Sequence, residues 1–241
     1  MTQPTIVFSL GAWSTPAVFD AVRSRLHTLG FESECPSHPS VDGKLPLKTF
    51  EDDVASLRSV LAGLVDQGKD VVVVAHSYSG VVASSAVEGL AKSHHAETNK
   101  LAGVIKVIYM CAFALDKGQS LLGLLGGNFL PWMNVGGYYV YADGSYIWQD
   151  ISPAKRQAWS ARALPTSRLV FSGENTYEPW REIPCAYIIC ENDLALPPAF
   201  QEMFASKVGG PEWISRLPSS HAPFLSMPDR LAGLLREIVE A

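Results

Sequence analysis

The most informative segment of this chain is Asp70-Val71-Val72-Val73-Val74-Ala75-His76-Ser77-Tyr78-Ser79-Gly80. Four consecutive valines favour a strand that is buried on both faces, as in the centre of a parallel sheet. Small residues, Ala75 and Ser79, lie two positions before and after Ser77, and a helical pattern follows from Ser79 to Leu90. The stretch therefore predicts a strand, a sharp turn with Ser77 at its apex, and a helix.

The same alternation of strands and helices continues on both sides. Strands are predicted at Thr5–Leu10, Phe31–Cys35, Val104–Ala112, Pro184–Cys190 and Glu212–Leu217. Helices are predicted to begin at Thr15-Pro16 and at a Thr49–Asp52 capping box, and to span Pro198–Val208 and Asp229–Glu240. Right-handed crossovers join strands that alternate with helices, so the sequence predicts an α/β fold with a mostly parallel sheet.

Composition excludes several classes of protein. The chain has 241 residues, 47% hydrophobic and 18% charged, which fits a single domain (1–241) with a large core. The formal charge is −5 and no basic run occurs, so we expect no nucleic-acid partner. The apolar runs are too short to span a bilayer, and Met1-Thr2-Gln3-Pro4 lacks the basic start of a secretory signal. We therefore expect a cytoplasmic protein without membrane attachment.

Four cysteines occur at spacings that match no metal motif. They are Cys35, Cys111, Cys185 and Cys190. Because no export signal is present, these residues are predicted to be reduced, mostly buried thiols.

Residues 116–180 interrupt the alternation. The segment is rich in glycine and in aromatic residues, among them Trp132, and it shows no clear strand–helix unit. A long insertion of this kind usually covers a site, so we predict a lid. The alternative is a peripheral subdomain with a small core of its own.

Ser77 is the candidate nucleophile. A serine at the apex of a strand–turn–helix unit is typical of a nucleophile elbow, where the positions two residues before and after must be small. Ala75 and Ser79 meet that requirement in place of the usual glycines. The following helix N-terminus would stabilise a developing negative charge. The alternative is a serine that only caps the helix.

A nucleophilic serine needs a base and an acid that orients the base. Asp193 follows the strand that ends at Cys190, and His221 follows the next predicted strand. Both side chains should therefore emerge at the same sheet edge as Ser77. Glu191 is an alternative acid. The other histidines fit less well because they lie in predicted helices, in an early loop, or beside the serine and pointing away from it; they are His27, His38, His76, His94 and His95.

The residues that would hold an oxyanion follow from the same geometry. One backbone N–H should come from Tyr78, directly after the serine, and one from Ala12 in the loop after the first strand. Gly11 would permit close approach of that loop. Trp13 is predicted to line the pocket, although a core position is an equal alternative.

Four motifs together resemble the α/β-hydrolase superfamily. They are Leu10-Gly11-Ala12-Trp13, Ala75-His76-Ser77-Tyr78-Ser79-Gly80, Glu191-Asn192-Asp193 and His221-Ala222-Pro223-Phe224-Leu225-Ser226. They are similar to the small esterase branch, which includes plant methylesterases, hydroxynitrile lyases and fungal hydrolases of this length. The resemblance implies an α/β-hydrolase fold over essentially the whole chain. It assigns Ser77 as nucleophile, His221 as base, Asp193 as acid, and Ala12 and Tyr78 as oxyanion donors.

Two departures from this branch affect the expectation. Leu10 replaces the usual histidine before Gly11, which removes a supporting imidazole. Ala222 replaces the lysine that follows the catalytic histidine in the hydroxynitrile lyases, so cyanohydrin cleavage is disfavoured.

We expect hydrolysis of a carboxylic ester or lactone of a small hydrophobic molecule, without cofactor or metal. Trp13 and Trp132 would line the substrate pocket. The alternatives are a carbon–carbon lyase or cyclase that uses the same triad, and a non-catalytic relative that binds a small molecule. The sequence leaves the oligomeric state open, a homodimer included.

Overall fold

The computed structural model describes residues 3–95 and 102–241. The strands in these residues are β1 (Thr5–Ser9), β2 (Ser33–Glu34), β3 (Val71–His76), β4 (Val104–Met110), β5 (Asn134–Gly136), β6 (Tyr139–Tyr141), β7 (Thr166–Ser167), β8 (Cys185–Cys190) and β9 (Ile214–Leu217). The helices are α1 (Asp20–Thr28), α2 (Phe50–Asp66), α3 (Ser79–Ala86), α4 (Lys92–His95), α5 (Leu121–Leu124), α6 (Gly144–Ile147), α7 (Pro153–Ser160), α8 (Pro198–Val208), α9 (Pro223–Ser226) and α10 (Pro228–Glu240).

Six strands form the main sheet, in the order β2-β1-β3-β4-β8-β9, and every neighbouring pair is parallel. The four valines of β3 are fully buried between β1 and β4. Because these strands are parallel, the carboxyl ends of β1, β3, β8 and β9 lie at the same edge of the sheet. The predicted α/β class with a mostly parallel sheet is confirmed.

Local structure differs from the sequence prediction mainly where elements begin and end. The first helix opens with a 3-10 turn at Pro16–Phe19, and Thr15 makes no side-chain capping bond. The helix α3 ends at Ala86, short of Leu90. In contrast, the predicted capping box is present, with the Thr49 N–H donating to the Asp52 carboxylate at 2.9 Å.

The insertion 116–180 contains more regular structure than the sequence suggested. β5, β6 and β7 form a small antiparallel sheet, with the short helices α5, α6 and α7 around it. Its buried side chains, including Trp132, Val140 and Trp148, belong to the same hydrophobic cluster as the valines of β3. The insertion thus packs directly onto the core of the main sheet.

Among the described residues, no helix is both long enough and apolar enough to cross a membrane.

All four cysteines are free thiols, and only Cys35 is partly exposed. Burial raises the pKa of the Cys35 and Cys185 thiols to about 12, so both are protonated at neutral pH.

Gly80 lets helix α3 pack closely against the segment that follows β4. A Cβ atom at this position would lie 2.2 Å from the carbonyl oxygen of Phe113, which is far inside van der Waals contact. Backbone atoms cannot move aside as a flexible side chain could. The close contact therefore requires glycine in the first turn after Ser77.

We predict that Gly80→Ala lowers the free energy of unfolding by about 3 kcal/mol, because the added methyl group must displace backbone. Gly63→Ala is the matched control. Gly63 also lies inside a helix, α2, but a Cβ there meets nothing within 4 Å. That variant should be stabilised by up to about 1 kcal/mol from helix propensity. Denaturant unfolding of both variants checks the prediction, and equal effects would contradict it.

Candidate active site

Ser77 lies in a strained turn between β3 and α3. Its φ is +57°, a left-handed conformation that costs energy for a residue with a side chain. Ser79 holds the turn: its hydroxyl donates to the Ser9 carbonyl at 2.7 Å and accepts from the His76 N–H at 3.0 Å. The small residue that the sequence singled out at position 79 therefore also joins the turn to β1.

His221 and Asp193 are in direct contact. The His221 Nδ1–H donates to Asp193 Oδ2 at 2.6 Å, and both side chains are buried. The other carboxylate oxygen accepts backbone N–H bonds from Ala195 at 2.8 Å and Leu196 at 2.9 Å. Glu191, the alternative acid, is exposed. Because Nδ1 donates to Asp193, Nε2 is the His221 ring nitrogen left to accept a proton.

A buried glutamine that the sequence analysis missed supports Asp193. Gln201 of α8 donates from Nε2 to Asp193 Oδ2 at 3.1 Å, and its Oε1 accepts from the Cys190 N–H at 2.9 Å. Its side chain is completely buried. The bonds connect the acid to the end of β8 and fix the carboxylate plane.

Ser77 and His221 line one pocket together with Ala12 and Tyr78. No hydrogen bond joins the Ser77 hydroxyl and His221 Nε2 within the residues that the structure describes. In unliganded enzymes such a bond is often long and shortens when substrate binds. The structure thus brings all five predicted positions, Asp193 included, to one place at the carboxyl edge of the sheet.

The loop after β1 approaches the turn at Ser77 closely. A Cβ atom on Gly11 would lie 2.6 Å from His76 Nδ1, so only glycine fits. Trp13 has φ +64°, and its N–H donates to the Thr166 hydroxyl at 2.8 Å. The Ala12 and Tyr78 N–H groups have no acceptor in the described part of the chain, and both residues line the pocket of Ser77.

A buried carboxylate holds the side chain of Tyr78. The Tyr78 hydroxyl donates to Asp53 Oδ2 at 3.0 Å, and the same carboxylate accepts from the Ser40 N–H and hydroxyl at 2.9 and 2.6 Å. Burial, and then the Asp53 charge, raise the pKa of Tyr78 well above its usual value. Asp53 shares the buried face of α2 with Leu57 and Leu61. An acidic residue on an apolar helix face was the signal that could have identified it.

His38 lies beside this network, although the sequence analysis set it aside. Its Nε2–H donates to the Leu10 carbonyl at 2.9 Å, directly before Gly11. Burial lowers the pKa of His38, so the ring is neutral. The imidazole of His38 thus contacts the backbone of Leu10, the position where the resembling esterases carry a histidine.

His76 supports the base from behind. Its Nε2–H donates to the His221 carbonyl at 2.8 Å, and the two ring centroids are 4.7 Å apart. Burial, with the nearby His221, lowers the pKa of His76 well below its usual value. Cys111 Sγ lies 3.5 Å from the same carbonyl. These three residues place possible metal-ligand atoms within 4.8 Å of one another, but two of the groups already bind the His221 backbone.

Of the remaining histidines, His27 is exposed on α1. The side chains of His94 and His95 lie outside the described part of the chain.

Ser77 lines the inner of two adjoining apolar chambers. The free volume of this inner chamber is about 10 Å³, roughly the space of one water molecule, and Trp13 and Trp132 also line it, with ring centroids 5.6 Å apart. The outer chamber has a free volume of about 190 Å³, shares Trp132 with the inner one, and extends towards Leu125 and Phe200. Among the residues that the structure describes, no Asp, Glu, Lys or Arg side chain lines either chamber. Trp13 also donates from Nε1 to the Val140 carbonyl, so it is both a pocket wall and a core residue.

We predict that acid destabilises the fold partly through His38. Its pKa is lowered in the folded state, so below pH 6.5 the unfolded chain binds more protons and stability decreases. The contribution is at most about 1.4 kcal/mol per pH unit. The free energy of unfolding should change less between pH 6.5 and pH 5.5 in His38→Gln than in the unsubstituted chain. The glutamine amide can still donate a hydrogen bond to the Leu10 carbonyl. His27→Gln should behave like the unsubstituted chain; equal pH dependence in all three would contradict the prediction.

Comparisons with known proteins agree with this architecture. The model of the Alpha/beta hydrolase family matches residues 6–234. Alpha/beta hydrolase nvfD of Aspergillus novofumigatus is 33% identical over 98% of this chain and 96% of its own length. The pyrethroid hydrolase of Sphingobium wenxiniae is 26% identical over 100% of this chain and 89% of its own. The crystal structure of polyneuridine aldehyde esterase, 19% identical, superposes with a TM-score of 0.77 over 98% of this chain and 99% of that one, which shows a shared fold. The family match and the identity to the Aspergillus protein, each over nearly the whole length, show that the chain belongs to the alpha/beta hydrolase family.

Proposed function

We propose that this chain hydrolyses carboxylic esters, lactones included, of small, uncharged, apolar molecules. Ser77 is the nucleophile, His221 the general base and Asp193 the acid that orients the base. The Ala12 and Tyr78 N–H groups form the oxyanion hole. The observation that carries the proposal is the buried 2.6 Å hydrogen bond from His221 to Asp193, beside a pocket that also contains Ser77.

The proposed reaction follows from the orientation of the His221 ring, whose Nδ1 bonds to Asp193. Its Nε2 accepts the Ser77 proton as the serine oxygen attacks the ester carbonyl. The negative charge on the carbonyl oxygen is stabilised by the two N–H groups. His221 then donates the proton to the leaving alcohol, which gives an acyl-enzyme. Water, activated by the same nitrogen, releases the acid and regenerates Ser77.

Names of relatives support the reaction class. One relative is named a pyrethroid hydrolase, and one protein of the same fold is named polyneuridine aldehyde esterase. Two chambers without charged side chains support an uncharged, apolar substrate. The aromatic insertion 116–180 contributes Trp132 to both chambers, which supports its role as a lid.

Ser77 should react with a fluorophosphonate, which phosphonylates only an activated serine. We expect intact-mass analysis to show one adduct per chain, and none on Ser77→Ala. Ser219→Ala is the matched control, because Ser219 is also buried, two residues before His221, but its hydroxyl has no hydrogen-bond partner among the described residues. That variant should be labelled normally.

Absence of labelling on the folded, unsubstituted chain would contradict the proposed activation of Ser77. It would favour the alternative of a non-catalytic binding protein. Hydrolysis in ¹⁸O-labelled water separates the proposal from a lyase or cyclase, because only hydrolysis places solvent oxygen in the acid product.

The outer chamber should determine which esters are accepted. Leu125→Trp fills part of this chamber and should lower kcat/KM for esters with a bulky apolar group at least tenfold, since each displaced methylene costs about 1–3 kcal/mol. Acetate esters of small alcohols should be hydrolysed at nearly the original rate. Two ester series, one varying the acyl group and one the alcohol, make the measurement.

Leu169→Trp is the control for the larger side chain. Leu169 belongs to the same insertion but is exposed and lines neither chamber. It should leave both ester series unchanged. A uniform loss across large and small esters in Leu125→Trp would show that the outer chamber does not bind the substrate.

A further inference from the structure

We propose that Asp150, with its neighbour Gln149, positions the acid and the base from within the insertion. This inference rests on the proposed function of Asp193 and His221. Gln149 and Asp150 lie between α6 and α7, close to neither residue in sequence. They bind the two loops that carry those residues, each at the residue directly before the functional one.

The contact on the base side is made by the Asp150 carboxylate. The N–H of Ser220 donates to Asp150 Oδ2 at 2.8 Å, and the Ser220 hydroxyl donates to Oδ1 at 2.5 Å. Ser220 is completely buried, whereas Asp150 itself lies at the surface. Ser220 is bonded directly to His221, so the carboxylate fixes the backbone from which the imidazole projects.

The contact on the acid side is made by the Gln149 amide. Its Nε2–H donates to the Asn192 carbonyl at 2.5 Å, one residue before Asp193. The Asn192 N–H donates in turn to the Ser219 carbonyl at 3.0 Å, which joins the acid loop to the base loop. Two consecutive residues of the insertion thus hold both loops in one frame.

A movement of the insertion would therefore move the base relative to Ser77. Catalytic rates are sensitive to such shifts, and a displacement of 1 Å can reduce a rate about 100-fold. Because the same insertion also supplies Trp132 to the chambers, closure over a substrate and alignment of the base would occur together.

Asp143 provides a closely matched control. It lies in the same insertion, and its Oδ1 accepts from both the N–H and the hydroxyl of a serine, Ser145, at 2.8 and 2.7 Å. This contact is local, at the start of α6, and reaches neither loop. Asp143→Ala therefore removes the same kind of contact without touching the loops of the acid and the base.

The test compares Asp150→Ala, Asp150→Asn and Asp143→Ala. We expect Asp150→Ala to lower the fluorophosphonate labelling rate of Ser77, and kcat for an acetate ester, by about 10- to 100-fold with little change in KM. Asp150→Asn keeps one of the two acceptors and should be intermediate. Asp143→Ala should stay within about twofold of the unsubstituted chain. Thermal unfolding verifies that every variant is folded.

A second readout is independent of turnover. The Nδ1 proton of His221, in its short bond to Asp193, should give a far-downfield proton NMR signal, assigned by its loss in His221→Gln. We expect the signal to shift or broaden in Asp150→Ala and to persist in Asp143→Ala. An unchanged signal, or labelling equal to that of Asp143→Ala, would overturn the inference. An unlabelled native chain whose signal still depends on Asp150 would overturn the proposed function alone.

Discussion

The backbone at Ser77 is strained, and the packing around the candidate site holds it in that conformation. A left-handed residue at the end of β3 is stable only if its surroundings hold it, and three elements do so. Ser79 joins the turn to β1, Gly80 allows the segment after β4 to approach, and Gly11 brings the loop after β1 against His76. The same contacts bring Ala12 and Tyr78 into the pocket that Ser77 lines.

Each candidate site residue His221, Asp193 and Tyr78 is held by a second, buried polar side chain. His76 holds the backbone of His221, Gln201 holds Asp193, and Asp53 holds Tyr78. Each support is buried and hydrogen-bonded, which is the condition under which a polar group stabilises a fold. The neutral state of His76 has the same origin, because burial lowers its pKa. Precise geometry in the proposed site would thus come from residues that never contact a substrate.

Much of this could be predicted from the sequence. Four valines followed by Ser77 defined the central strand and the turn, because burial on both faces leaves a continuous apolar run. The positions of Asp193 and His221 followed from the rule that parallel strands end at one edge. The ends of the helices were predicted less accurately: the Thr15 side chain makes no capping bond, and α3 ends at Ala86 and not at Leu90. Such ends depend on tertiary packing that a local pattern does not contain.

The fold class, the candidate nucleophile and its two candidate partners could be predicted from the sequence, since they depend on local patterns and on chain order. The residues that contact and support them became visible only in the folded chain. His38, Asp53, Gln201 and Asp150 act through contacts between segments far apart in the chain, and no local spacing encodes those contacts. The tertiary structure also distinguished Asp193 from Glu191, because only one of the two carboxylates is buried against His221. The local sequence does not separate two acidic residues that are only two positions apart, but the fold buries Asp193 and leaves Glu191 exposed.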